Sequence, residues 1–296
     1  MDYCAKFRYF AVVSAAILVI GLIVGIVAGP NYGIDFSGGS IFTIEMAQDF
    51  KTEDVQKVLS AMGITDASVV SSGATTDSKT QAIIRLKPFG SDDEENQTRQ
   101  DILAELQKTY PNASVAGVDR VGAVASRDLV RNAIISVILA SVLILVYVWI
   151  RFELLQGVAA VAALLHDVLI MFAVTTILQI PINSSFIAAM LTIVGYSINN
   201  TIVIFDRVRE NTHLSSRRGL SRSDTVNASI TQSMTRTINT TVTTLLTIVC
   251  VYLLGVDSIK EFSMPIIIGI VAGTYSSVFL VAPFWELLVS LEKKKA

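Results

Sequence analysis

Ala133-Ile134-Ile135-Ser136-Val137-Ile138-Leu139-Ala140-Ser141-Val142-Leu143-Ile144-Leu145-Val146-Tyr147-Val148-Trp149-Ile150 is an unbroken run without a charged side chain, closed by Arg151. A bilayer core of about 30 Å needs roughly 20 helical residues to cross it. Lipid offers the backbone no water to bond, so a run of this kind folds as a helix that bonds to itself. Five further runs share the character: Tyr9–Ala28, Leu154–Leu178, Phe186–Phe205, Ile238–Gly255 and Pro265–Leu288. The chain reads as an α-helical polytopic membrane protein. The bulk numbers agree: 52% of residues are hydrophobic and 16% charged, against about 25% charged in soluble domains. The first run follows Lys6 and Arg8, as a secretory signal would, but its about 20 apolar residues exceed the roughly 7–15 of a signal core. It reads as a retained helix.

Orientation follows from the short connections. Lys6 and Arg8 precede the first run, and Arg151 sits between the second and third. Arg207, Arg209, Arg217, Arg218 and Arg222 crowd the connection after the fourth, and Lys293, Lys294 and Lys295 close the chain. Gln179–Ser185 carries no Lys or Arg, and Val256–Phe262 carries Lys260 alone. The expected layout is a cytoplasmic N-terminus over 1–8 and spans over 9–29, 129–150, 154–178, 186–206, 236–256 and 263–290. Residues 30–128 lie outside the cytoplasm, 207–235 form a basic cytoplasmic loop, and 291–296 a cytoplasmic C-terminus. Ser223–Met234 is expected as a helix on the membrane surface. The net charge of −2 carries no sign of a nucleic-acid partner, and Cys4 and Cys250 are badly placed to pair, so folding needs no oxidising compartment.

Residues 30–128 change period. Ser40–Met46 alternates as a strand, with Phe42, Ile44 and Met46 on one face. Thr52–Met62 has the stripe Val55, Val58, Leu59 and Met62 of a helix, with Thr52 as its expected cap and Gly63 as its stop. Ala67–Ser71 and Ala82–Leu86 read as strands around a polar loop over Ser72–Thr80. Asp92–Tyr110 is a second helix and Ala113–Val121 a last strand. The β-α-β-β-α-β order is that of an α+β ferredoxin-like domain, with half-domain and single-sheet variants open. It holds no His, Cys or serine–base pairing, so contact with another chain is the expected role.

Ionisable and polar groups inside the spans are the candidate functional residues. His166 and Asp167 lie mid-way along the third. As neighbours they point about 100° apart, and no pairing between them is required. Asn199 and Asn200 lie in the fourth, suited to bonds between helices. Arg236 opens the fifth, either reaching out to the surface or turning in to a carboxylate, beside a stripe of Thr240, Thr243, Thr244 and Thr247. Gly269, Gly273 and Ser277, four apart, form a small-residue packing face on the sixth. Outside the first span, Gly33, Gly38 and Gly39 permit tight turns and offer a hinge, with Asp35 expected to bond those turns locally. No metal-ligand spacing and no convincing nucleophile accompanies His166 and Asp167, so enzyme chemistry is not expected, and neither a cofactor nor a metal.

Two stretches carry a resemblance. They are Gly33-Ile34-Asp35-Phe36-Ser37-Gly38-Gly39 and Gly195-Tyr196-Ser197-Ile198-Asn199-Asn200-Thr201-Ile202-Val203-Ile204-Phe205-Asp206-Arg207-Val208-Arg209-Glu210-Asn211. Together they resemble the SecD/SecF family of protein-export membrane proteins, relatives of the proton-driven RND exporters. Leu165-His166-Asp167-Val168, Ser233-Met234-Thr235-Arg236-Thr237 and Gly273-Thr274-Tyr275-Ser276-Ser277 resemble further family segments in the right order. The resemblance implies an RND-like half of six helices and one external domain. It implies a SecD-like partner, work beside the SecYEG channel on preproteins after SecA-driven translocation, and use of the proton gradient. One departure matters. The family usually has Asn-Asp where this chain has Asn199-Asn200, and Asn200 cannot be protonated in the physiological range. Arg236 matches the basic residue that usually faces the missing carboxylate. Proton carriage then falls to the partner, to Asp167 or His166 here, or to another ion, or the pair is not ion-driven. An RND-like half moving a lipid or small molecule is the competing reading.

Overall fold

The structure, a computed structural model, describes residues 2–65, 67–72, 80–121, 123–215, 219–255 and 257–295. Residues 73–79 of the expected polar loop, and Arg217 and Arg218, fall outside them. Among the described residues six helices are long and apolar enough to cross a membrane. The first is α1 (Tyr3–Val27). A helical turn α2 (Ile34–Ser37) leads into the external unit. That unit runs β1 (Gly39–Glu45), α3 (Thr52–Ala61), β2 (Ser68–Ser72), β3 (Gln81–Leu86), α4 (Asp92–Gln107) and β4 (Ser114–Val121). The chain returns through α5 (Ala123–Arg151), α6 (Leu154–Ile177), α7 (Ser184–Ser215), α8 (Arg222–Leu254) and α9 (Asp257–Ser276). A π-helical turn (Ser277–Val281) joins α9 to α10 (Ala282–Lys295).

The sheet is antiparallel with strand order β2-β3-β1-β4. Phe42, Ile44 and Met46 point to one face of β1 and are fully buried with Val55 and Leu59 of α3 and Ile102 and Leu106 of α4. Both helices cover that face. Gly63, at φ +80°, turns the chain out of α3. The cap of α3 is Lys51, without a side-chain bond. The chain becomes helical one residue earlier than the pattern suggests, so Thr52 is its first helical residue and not its cap. At β4, Arg120 reaches Asp92 and the buried Glu95 of α4, stapling the last strand to the helix above it.

The membrane helices form two layers. In the most apolar windows of α6, α7 and α9 with its continuation, 50%, 50% and 56% of residues are buried, against 11% for each of α1, α5 and α8. The first three are therefore the inner helices. Small residues let them close. An added Cβ at Gly269 would lie 2.4 Å from Ile193 Cγ1, and one at Gly273 3.0 Å from Ser197 Cβ. Ser277 Oγ continues the face, 3.2 Å from Thr201 Oγ1. Gly21 does the same for the α1–α6 contact, where an added Cβ would meet Ala173 Cβ at 2.5 Å.

Two expectations are corrected at helix ends. Ser223–Met234 is not a separate surface helix. It is the first part of α8, with Val226, Ser229, Ile230 and Ser233 buried. Asn211 of the extended α7 donates to Ser229 Oγ at 2.9 Å and to Gln232 Oε1 at 3.0 Å. Asn227 Oδ1 accepts from the Tyr3 N–H at 2.9 Å, capping α1 from α8. The Ala5 N–H, and after it the Asn227 amide, hold the Asp2 carboxyl below its ordinary range. The last span also begins earlier than Pro265, because α9 carries that proline inside it.

Gly269→Val is expected to destabilise the isolated chain by about 1–3 kcal/mol, the usual cost of overpacking. Gly195→Ala, on the same contact-rich α7 but with nothing within 4 Å of the new Cβ, is expected to be neutral or stabilising. Thermal unfolding in detergent compares the two. Equal midpoints would show that the α7–α9 approach is not tight.

Candidate functional site

Asp167 is fully buried near the middle of α6, about 20 Å along that helix from its start at about 1.5 Å per residue. Ser197 Oγ of α7 donates to its Oδ2 at 2.5 Å, and Ser276 Oγ of α9 donates to the same oxygen at 2.9 Å. Ser276 shares its single hydrogen with the Gly273 carbonyl at 3.1 Å. His166 Nδ1 lies 2.9 Å from Oδ1. The neighbours pair, although their 100° separation did not require it. An imidazole is long enough to fold back along the helix onto the next residue's carboxylate. Hydrogen bonds to a charged group contribute about 1.5–3 kcal/mol each, and a carboxylate at this depth needs several to persist. An ionised carboxylate only accepts, so its contact with Nδ1 requires the hydrogen on Nδ1. Nε2 has no partner and almost no exposure.

The other candidates separate from this cluster in distinct ways. Asn200 is buried, and its Nδ2 finds no acceptor. Asn199 is exposed and makes no side-chain hydrogen bond among the described residues. Arg236 is exposed in the first half of α8 and forms no ion pair among the described residues, so it does not turn in to a carboxylate. Thr240, Thr243, Thr244 and Thr247 each donate to the carbonyl four residues back, at 2.9–3.1 Å. Their stripe is satisfied within α8. Thr241, outside that stripe, links the layers: it accepts from Tyr196 Oη at 3.2 Å and lies 2.8 Å from Thr274 Oγ1.

The outer ends of α7 and α9 are clamped together. Glu261 of α9 receives both guanidinium nitrogens of Arg85 on β3, at 2.6 and 3.1 Å, and Asn183 Nδ2 at 3.0 Å. The Arg85 and Glu261 side chains are 15% and 12% exposed, enough shielding for the pair to matter. Asn183 in turn accepts from the Phe186 N–H at 3.1 Å inside the start of α7. Asp35 does not bond its own turn. Its Oδ2 accepts from the Ser184 N–H at 2.8 Å, the first residue of α7. Gly33 sits close against the same connection: its N–H donates to the Ile182 carbonyl at 2.8 Å, and an added Cβ would fall 3.0 Å from Asn183. Gly38 and Gly39 have φ of +72° and +143°, which L side chains rarely adopt.

Sequence reasoning did not single out Ser276, Glu261 or Asn183. Ser276 stood three residues past Gly273 in a stretch read for its small side chains and for its family resemblance, with no role given to Ser276 itself. Glu261 lay in what read as a bare external connection, where a carboxylate passes for solvated surface. Its signal was Pro265 four residues on, which removes the donor to the Glu261 carbonyl inside α9.

Six candidate spans among the described residues, one α+β domain and a buried carboxylate held by two serines and a histidine define a multi-pass membrane protein. Comparison with known proteins gives the family. "Protein export membrane protein SecD/SecF, C-terminal" matches residues 101–291, and "SecD/SecF GG Motif" matches residues 23–49. The chain is 40% identical over 280 residues to protein translocase subunit SecF of Acidaminococcus fermentans, covering 94% of each. It is 35% identical to protein translocase subunit SecDF of Bacillus subtilis, over 99% of this chain and 39% of that protein. The crystal structure of SecDF from Thermus thermophilus superposes with a TM-score of 0.79 at 32% identity, covering 98% of this chain and 38% of the other. This chain belongs to the SecD/SecF family of protein-export membrane proteins and is a subunit of a Sec protein translocase. It spans about two-fifths of the fused SecDF chains.

Arg85→Met and Glu261→Met are each expected to loosen the external domain against the membrane helices, the pair contributing about 1.5–3 kcal/mol. Spin labels on α4 and on the outer end of α1 read this as a broadened distance distribution, with the double variant no looser than either single one. Narrow, unchanged distributions in both single variants would show that the clamp does not hold the domain.

Proposed function

We propose that this chain works with a SecD-like partner beside the SecYEG channel, helping preproteins outward after SecA-driven translocation at the expense of the proton gradient. The partner reading is supported by the fused SecDF relatives and by polar side chains left exposed in the spans. Asn199 of α7 and Asn239 of α8 face away from this chain's own core and make no side-chain hydrogen bond among the described residues. Exposed polar groups at bilayer depth fit a neighbouring helical half better than lipid. The basic connections support both termini lying in the cytoplasm, which places residues 30–128 outside. The strand order β2-β3-β1-β4, with α3 and α4 on one face, supports a ferredoxin-like classification of that domain. The positive φ at Gly38 and Gly39 supports a pivot there, since Gly33 is tied to the α6–α7 connection.

Asp167 carries the reading of ion coupling. Among the described residues of the spans it is the fully buried carboxylate, and α6, α7 and α9 all contribute to its hydrogen bonds. Asn200 cannot take its place, because an amide does not titrate near neutrality. A carboxylate held by two serines and a histidine switches its bonding demand on protonation: ionised it accepts from all three, neutral it must donate once. That change acts on the packing of the three inner helices together. The 40% identity to SecF weighs against a half that moves a lipid or small molecule.

The test is preprotein translocation into vesicles holding this chain, its SecD-like partner and SecYEG, with SecA and ATP. The wild type is expected to respond to an imposed proton gradient without a carboxylate at position 200. Asp167→Asn is expected to lose most of the gradient-dependent increment, tenfold or so, while ATP-driven translocation persists; a tenfold loss corresponds to about 1.4 kcal/mol. An increment untouched by Asp167→Asn would move coupling to the partner. A response seen only in Asn200→Asp would mean that this chain has traded its proton site, with a sodium gradient as the next trial.

A further inference from the structure

The two oxygens of Asp167 are not equivalent. Oδ2 accepts from two hydroxyls, Ser197 of α7 at 2.5 Å and Ser276 of α9 at 2.9 Å, while Oδ1 faces His166 Nδ1 at 2.9 Å. Asp167, Ser197 and Ser276 are fully buried, so a proton added to the carboxyl has to find its acceptor inside this cluster. A proton on Oδ1 would meet the hydrogen already on Nδ1. Moving that hydrogen to Nε2 gives no relief. Beyond the ring lies a cleft of about 240 Å³ with mostly apolar walls, between α1, α6 and the π-helical turn, and Nε2 finds no partner on that side. An N–H there would be left buried without an acceptor. A proton on Oδ2 needs a hydroxyl that can stop donating to it. Ser197 Oγ donates to Asp167 alone among the described residues. Ser276 Oγ has a second acceptor in place, the Gly273 carbonyl at 3.1 Å.

We propose that Ser276 is the positioning residue that places the proton on Asp167 Oδ2 and relays its arrival to α9. In the ionised state Ser197, Ser276 and His166 all donate to Asp167. One proton added at Oδ2 takes the carboxyl from a single negative charge to neutral. Oδ2 then donates to Ser276 Oγ, and Ser276 turns its own hydrogen wholly to the Gly273 carbonyl. Ser197 still donates to Oδ2 and Nδ1 to Oδ1. Each of these bonds has a donor and an acceptor in both states, so neither state leaves one of them unmet. The titratable group in contact with Asp167 is His166. Ser197 and Thr201 of α7 and Gly273, Ser276 and Ser277 of α9 do not titrate in this range. Tyr275 of α9 gives its hydroxyl to the Phe10 carbonyl at 2.7 Å. The charged residues of α1 and α5 lie toward the ends of those helices, and Glu286 of α10 acts on Cys4 at the start of α1.

The proposal rests on Asp167 as the coupling carboxylate, but its test reads the switch directly. Gly273-Thr274 is the one Gly-Thr pair of the chain. Glycine labelled with ¹³C at the carbonyl and threonine labelled with ¹⁵N therefore isolate the Gly273 carbonyl in solid-state NMR of the full-length chain in lipid vesicles. The Asp167 ¹³Cγ resonance, identified as the aspartate signal missing from Asp167→Asn, shows when the carboxyl turns neutral, and the vesicles are acidified to that point. The Gly273 carbonyl carbon is expected to move downfield in step, as a carbonyl does when its hydrogen bond strengthens. Ser276→Ala is expected to abolish that movement and to cut the gradient-dependent export increment several-fold. Ser276→Thr keeps a hydroxyl that can bond a carbonyl one turn back and is expected to restore both. A Gly273 carbonyl that holds its position while Asp167 neutralises, or that moves equally in Ser276→Ala, overturns the switch. Export separates the two readings. A moving Gly273 carbonyl in a chain whose gradient response survives Asp167→Asn keeps the switch and removes the coupling role. A static carbonyl with a response that Asp167→Asn abolishes does the opposite.

Discussion

A carboxylate in the middle of a bilayer has to be satisfied by protein, and Asp167 sets the arrangement of the inner helices through that demand. Its oxygens draw on α6 itself through His166, on α7 through Ser197 and on α9 through Ser276. Serine is short, so α7 and α9 must approach within a side chain's length of α6 and of each other. Gly269 and Gly273 make that possible by leaving room for Ile193 and Ser197. The π-helical turn follows immediately after Ser276. An extra residue in a helical turn re-aims what flanks it, and here it sets Ser276 and Ser277 toward Asp167 and Thr201 while Leu280 and Val281 turn to the cleft on the far side.

The same two helices that meet at Asp167 are joined a second time where they leave the membrane. Glu261 on α9 and Asn183 before α7 share a hydrogen bond, and Arg85 brings the sheet to both. About 22 Å of α9 separates Glu261 from Ser276, at about 1.5 Å per residue. A packed helix transmits a shift along its axis because close-packed interiors do not absorb it. Ser276, Glu261 and Arg85 therefore give a packed route along α9 from Asp167 to the sheet. Asp35 and Gly33 hold the other strand of the connection to the same corner.

Much of this was legible in the sequence where the physics is local and repetitive. The six spans follow from length and apolarity, and the β1 face from the alternation of Phe42, Ile44 and Met46. The external elements all appear within a few residues of their expected places. What the sequence hid is long-range or depends on rotamers. The acceptor Asp35 lies 149 positions from Ser184, and Arg85 lies 176 from Glu261; neither separation leaves a trace in periodicity. The start of α8 was misread because Ser223–Met234 is polar enough to suggest a surface, whereas Asn211 and the N-terminus of α1 cover it. Whether His166 and Asp167 pair was left open by helical geometry at the Cβ, which says nothing of how far a ring reaches.

The distribution of satisfied and unsatisfied polar groups separates what this chain completes alone from what it leaves open. The threonine stripe of α8 is closed within its own helix by bonds to carbonyls four residues back, so it adds polarity without requiring a partner. Thr241 with Tyr196 and Thr274 is closed between helices. Asn199 and Arg236 are left without side-chain partners on the outer surface, and Asn200 is buried with an idle amide. A helical half that satisfied every group would gain nothing from association in lipid, where apolar burial between helices contributes little. The groups left open on α7 and α8 are the ones that a second half can reach. The inner cluster at Asp167, by contrast, draws all its hydrogen bonds from this chain's own side chains.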